Sequence, residues 1–269
     1  EIHTLDSEDD DMGETQQLTA TLHTTFTGHT DAVEAVAFSP GANILASASQ
    51  DRTIRFWDLQ TGQAIHTLVG HTAGVTTIAY SSDGTHLVSG SRDLTVRLWN
   101  VATRAANALT VLSGPENVVL RVGFSPGDRY IIAGSGDKTV RLWDRSFLKE
   151  QQLSTLTGQT ARMRNIAFNP QGKFLASGDD KGVAQIWSLA SGEVINTIPT
   201  FGGTMWDVTY SHDGQQLVTC SEDGKVRVWE AATGDLIKVL GGHTRDANVS
   251  AFSPDGAYLA TGSDDHTVI

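Results

Sequence analysis

Apolar and polar positions alternate in short runs along this chain, as in "VEAVAF" (33–38) and "TIRFW" (53–57). A period of two sends successive side chains to opposite faces of an extended backbone, so each run predicts a strand with one buried face. Between the runs stand "SPGAN", "SSDG", "SPGD", "NPQG", "SHDG" and "SPDG", which join Ser or Asn, often Pro, to Asp or Gly. That chemistry suits tight connections between antiparallel strands. A second tight turn, "SQDRT" or "SRDLT", precedes each tryptophan-bearing run. The pattern predicts about four short strands in each unit of ~42 residues.

The units recur at a fixed spacing. Trp57, Trp99, Trp143, Trp187 and Trp229 are separated by 42, 44, 44 and 42 residues, and each closes a run of related composition such as "SASQDRTIRFWD" or "SGSRDLTVRLWN". A sixth copy, "TGSDDHTVI" (261–269), stops before its tryptophan position.

This organisation resembles the WD-repeat family of β-propellers. The resemblance is carried by Gly28-His29, Gly70-His71 and Gly242-His243 with Trp57-Asp58 and Trp143-Asp144; His29 to Trp57 and His71 to Trp99 are both 28 residues. It covers residues 18–269 and implies an all-β fold, a β-propeller of four-stranded antiparallel blades with six encoded. In the resembling family an outer strand from the opposite chain end closes the last blade. Residues 18–27 fit that strand, while 266–269 leave the sixth blade clipped inside its third strand, and seven blades remain an alternative for the intact protein. The expected division is an acidic, flexible leader at 1–16 and the propeller at 17–269.

Charge and cysteine content narrow the partners. The formal net charge is −12, but residues 1–16 hold seven acidic residues and no Lys or Arg, which leaves −5 for the rest. A mildly acidic body without a basic stripe argues against nucleic acid. "SEDDD" (7–11) reads as a solvated linker. No apolar run is long enough to span a bilayer and no signal-peptide pattern opens the chain, so no membrane partner is expected. Cys220 is the lone cysteine, which fits a reducing, cytoplasmic setting and reads as a small packed residue rather than a nucleophile.

His, Asp and Ser recur together, which raises the question of catalysis. A catalytic site occurs once, whereas His29, Ser47, Asp51 and Trp57 return as His71, Ser89, Asp93 and Trp99, and in part as His243, Thr261 and Asp265. The resemblance implies a structural chain in which Asp meets His, His meets the hydroxyl and the hydroxyl meets the indole N–H. Repeat three has Pro115 and Ala133 at the His and Ser positions, repeat four has Gln159 and Lys181 at the His and Asp positions, and repeat five has Phe201 for His. Those three blades are expected to lack the complete network and to be looser or held otherwise. Arg55, Arg97, Arg141 and Arg227, two residues before each Trp, read as an exposed strand face. No Gly-rich phosphate loop, Cys-x-x-Cys or His-x-x-x-His occurs, so no cofactor, metal site or enzymatic activity is expected.

Propellers of the resembling family bind partners on the face carrying the loops before strand one and between strands two and three. Here those positions are Glu34, Thr76, Leu120, Arg164, Trp206 and Asn248, with Gln50, Arg92, Gly136, Asp180, Glu222 and Asp264 beside the turns. Trp206 is the one tryptophan outside the repeat slot. With Arg162, Met163, Arg164, Met205, Arg92, Asp180 and Glu222 it forms the candidate partner-binding set, since aromatic and Arg side chains dominate interface energetics; the alternative is that Trp206 fills space along the channel. The expected function is a monomeric, non-enzymatic scaffold for a protein or peptide. A regulatory or sensor module of a larger chain such as a kinase or ATPase is the alternative, which the missing initiator Met and abrupt end permit, and an enzyme or small-molecule binder using the channel is a third reading.

Overall fold

The computed structural model describes residues 2–6, 19–103, 108–147 and 154–269, and its regular structure is strand apart from two short 3-10 turns. Five four-stranded antiparallel sheets, or blades, span 33–69, 75–112, 119–157, 163–199 and 205–240. A sixth, at 247–269, pairs Ala247–Phe252 with Leu259–Ser263 and begins a third strand, where Thr261 and Ile269 exchange backbone hydrogen bonds of 2.8 and 3.0 Å. The all-β propeller of repeated blades is therefore what the chain forms.

Alternation explains the layering. In the second strand of blades two to five, successive residues face the two neighbouring sheets, so both faces are buried; Tyr130–Ser135 is buried after its first residue, as is Ile44–Ser49 of the first blade. The first strand of each blade packs against those of the next, in order from the first to the sixth. Clusters such as Ala46, Ile54, Leu68, Val75, Ile78 and Leu87 bind one blade to the next. The turn between second and third strands holds Arg52, Leu94, Lys138 and His266 at φ of 73°, 70°, 70° and 69°, where blades four and five place Gly182 and Gly224. The left-handed conformation is thus a property of the turn, and only two of the six repeats relieve it with glycine.

At the chain start, Thr19–Thr24 pairs antiparallel with Ile2–Asp6. Both segments carry Thr and Leu, and pairing segments close in sequence keeps the loop-closure cost small. Residues 2–6 of the expected flexible leader are accordingly strand, while residues 1 and 7–16 lie outside the described residues. The first blade's inner strand leaves Val33, Val36 and Phe38 at least half exposed, although their counterparts Val75 and Ile78 are buried.

Candidate functional site

The recurring polar residues form chains across each blade. In the second blade the indole N–H of Trp99 donates to Ser89 Oγ at 2.8 Å, Ser89 lies 2.7 Å from His71 Nε2, and His71 Nδ1 lies 2.8 Å from Asp93. Burial pushes the His71 imidazolium below its ordinary 6.5 despite the pull of Asp93. The ring is then neutral, with Nδ1–H donating to Asp93 and the Ser89 hydroxyl donating to Nε2. Asp93 is opposed by burial, yet hydrogen bonds from His71, Thr95 and Thr72 hold its carboxyl well below the usual carboxylate range. The first blade repeats the arrangement with His29, Ser47, Asp51 and Trp57. In the sixth, His243 lies 2.9 Å from Thr261 and 3.1 Å from Asp265.

The three departing blades are held by other contacts, the second of the two outcomes expected for them. In the fourth, Gln159 Nε2 donates to Ser177 Oγ, and Ser177 accepts from Trp187 at 2.9 Å. Asp179, two residues before the nominal Asp position, is fully buried and accepts from Thr160 Oγ1, Ala161 N, Lys181 N and Val183 N at 2.7 to 3.1 Å. In the third and fifth blades Arg141 and Arg227 are buried and pair with Asp137 and Asp223, each at 2.6 Å. Arginine therefore occupies the turn carboxylate where histidine is missing, so these two side chains are not the exposed face the repeat implied.

The partner-facing candidates are positioned by a bulge. Every inner strand slips register around its second residue, for instance between Met163 and Asn165 and between Met205 and Asp207. A bulge re-aims the side chain it frees. Glu34 accordingly meets Gln50, Arg164 meets Asp180, and Asn248 meets Asp264, each pair joining the two loops predicted to share a face. Trp206 is half-buried, donates its indole N–H to Asp246 at 3.0 Å, and carries the Arg164 guanidinium 4.7 Å above its ring. Thr204 ties the same cluster to Glu222, donating its backbone N–H at 2.9 Å, and this bond leads the causes that lower the Glu222 carboxyl. A chain Asp180–Arg164–Trp206–Asp246 thus runs from the fourth blade to the sixth.

Not every candidate belongs to it. Met163 and Met205 are fully buried, their sulfurs filling the space beside Gly134 and Gly178 of the preceding blades, so they cannot touch a partner. Arg92 lies 4.0 Å from Glu34, between the first and second blades, away from Trp206. Arg162 is half-buried and its carbonyl accepts from Asp180 N at 3.0 Å. The sequence pointed to Phe201 only as the residue in a histidine slot, and not to Asp246. Phe201 lies in the loop leading into Met205–Tyr210, is 91% exposed and holds φ at 57°. Its position in the histidine slot masked it, although a Phe before two glycines in a turn is itself an unusual exposure of apolar surface.

Beneath Trp206, the neighbouring Asp207 is buried in a second line of contacts. Its carboxylate accepts from Ser250 N and Oγ, both at 2.7 Å, and from Asn165 Nδ2, whose amide oxygen accepts from Arg121 at 3.2 Å. Burial raises the Asp207 carboxyl above its ordinary value against those bonds. Cys220 is buried nearby, its thiol pushed up to about 12 by burial and then by the charge of Asp207, which leaves it a packed thiol. No cluster of three or more His, Cys, Asp or Glu suited to a metal ion occurs among the described residues, and no helix there is long and apolar enough to cross a membrane.

The family model described as "WD domain, G-beta repeat" matches residues 20–58, 62–100, 106–144, 150–188, 192–230 and 234–269. The chain belongs to this family of WD-repeat proteins, whose repeats build protein-interaction scaffolds. Protein Mut11 of Chlamydomonas reinhardtii is 55% identical over 40 residues, 15% of this chain and 11% of its own. Nuclear distribution protein nudF 1 of Talaromyces marneffei is 48% identical over 44 residues, 16% of this chain and 10% of its own. Coronin-7 of Mus musculus is 45% identical over 51 residues, 19% of this chain and 6% of its own. The matched stretches are about one repeat long and cover roughly a tenth or less of each relative.

Proposed function

We propose that this chain is a non-enzymatic interaction platform whose protein or peptide partner docks on the face around Trp206. The observation that carries the reading is the Asp180–Arg164–Trp206–Asp246 chain, which fixes an aromatic side chain of the fifth blade between charged groups of the fourth and sixth. A rigid aromatic loses little entropy on binding, and Phe201 adds exposed apolar surface from the adjoining loop. The recurring His–Asp pairs supply cohesion between turn and strand, and the serine beside His29 and His71 is buried and already engaged by a tryptophan indole N–H.

The test is capture of binding proteins by the wild type, Phe201→Ala, Trp206→Ala and Arg92→Ala, with melting curves to establish that each is folded. Proteins retained by the wild type and Arg92→Ala but lost from Phe201→Ala and Trp206→Ala support the assignment. An unchanged set with both aromatic variants moves the docking face elsewhere.

A further inference from the structure

We propose that the cavity between the first and second blades binds a neutral single-ring molecule carrying one hydroxyl group, a phenol, whose hydroxyl pairs with His66. The cavity measures about 220 Å³, and its walls include Ile44, Phe56, Ile65, His66, Tyr80 and Val101. A dry apolar cavity on the order of 150 Å³ accepts benzene, so the volume suits one ring with a small substituent.

His66 sets the chemistry. It lies on the outer strand Ala64–Val69 of the first blade, opposite Phe56 in register, with ring centroids 6.2 Å apart. Its Nε2 is buried and has no hydrogen-bond partner. Tyr80 stands edge-on to Phe56 at 6.5 Å, and its own hydroxyl is engaged by Ser39. Two aromatic walls favour an aromatic guest through offset and edge contacts. The orphan nitrogen is a donor in one imidazole tautomer and an acceptor in the other, and a hydroxyl satisfies either. A carboxylate or ammonium group would instead place a charge among apolar side chains.

The repeat shows what normally fills this slot. Between the fourth and fifth blades the counterpart of His66 is Asn196, which lies so close to Gly234 that a Cβ there would collide with it. The corresponding groove between the third and fourth blades, lined by Tyr130, Leu142, Phe174 and Leu189, has no orphan polar atom among the described residues. Among the residues lining this cavity, His66 is the one with a buried, unpartnered side-chain nitrogen.

Calorimetric titration of phenol and of benzene into the wild type, His66→Leu and Ala102→Leu tests the site, with circular dichroism to check folding. Ala102 also lines the cavity, so a larger side chain there reduces its volume without touching His66. Expected are saturable one-site phenol binding, benzene weaker by about tenfold (about 1.4 kcal/mol) on the wild type, and loss of that preference in His66→Leu. Ala102→Leu should weaken both guests. Absence of saturable phenol binding, equal affinity for phenol and benzene on the wild type, or phenol binding unaffected by Ala102→Leu each overturns the proposal. Should His66→Leu fail to fold, the wild-type ratio and Ala102→Leu decide the matter.

Discussion

Arg227 holds Asp223 with both arms of its guanidinium, Nη2 at 2.6 Å from one carboxylate oxygen and Nη1 at 3.2 Å from the other. Arg97 occupies the same slot in the second blade, yet there the turn carboxylate belongs to His71, and Arg97 Nε has no partner. One residue type thus has two roles, decided by whether histidine reaches the turn.

That difference predicts unequal costs for the same substitution. Arg227→Ala should destabilise by about 1–3 kcal/mol, because it leaves the Asp223 carboxylate without its charged donor. Arg97→Ala, which removes no carboxylate hydrogen bond, should cost no more than about 1 kcal/mol of lost packing. Urea melts of the two variants compare them directly; equal losses would mean that the ion pair contributes nothing beyond side-chain contact.

The fourth blade separates what the residues disclose from what they hide. The Trp spacing announced strands, turns and blades because periodicity is a one-dimensional signal. Alignment to that period placed Lys181 at the Asp position, although the carboxylate is supplied by Asp179, where the first blade has Ser49. A compensation shifted by two residues is invisible to a fixed-offset reading. Asp179→Ala should therefore cost about 3 kcal/mol or more, since four donors lose a buried acceptor, whereas Lys181→Ala at the exposed turn should fall within about 0.5 kcal/mol. Thermal melts that reverse this order would restore the fixed-offset assignment.

The site was legible in outline and obscured in depth. The two loop positions per repeat put Arg164 and Asp180 on one face without naming a contact; the structure pairs them, and a bulge recurs wherever the repeat does. Burial was the part that could not be read: Met163 and Met205 share the local pattern of exposed neighbours, but glycines in the adjacent blade open space that draws them inside.

Acid should loosen the second blade in two stages. The native His71 imidazole resists protonation below its ordinary 6.5, so the unfolded chain binds the extra proton first and stability falls as pH drops through that value. Asp93, with its carboxyl held low in the native state, contributes stability that is present above 3.8 and lost as pH falls further. His71→Gln should be less stable than the wild type by about 1–3 kcal/mol near neutrality. The gap should narrow between neutral and mildly acidic pH. Denaturant titrations across that range check the sign, and a widening gap would mean that native His71 is protonated.

Val36 and Val208 occupy the same fourth position of an inner strand in the first and fifth blades, but Val36 is 60% exposed and Val208 is 2% exposed. The local sequence does not distinguish them; the neighbour does. Val208 packs with Ala176, Ile186 and Ile198 of the fourth blade, whereas the same face of the first blade is left open. Val208→Ala should cost about 1–3 kcal/mol, the transfer and cavity terms of a buried aliphatic truncation. Val36→Ala should stay within about 0.5 kcal/mol. Equal and large losses in chemical denaturation would show that another surface covers Val36 in solution, because an exposed valine has no packing to lose.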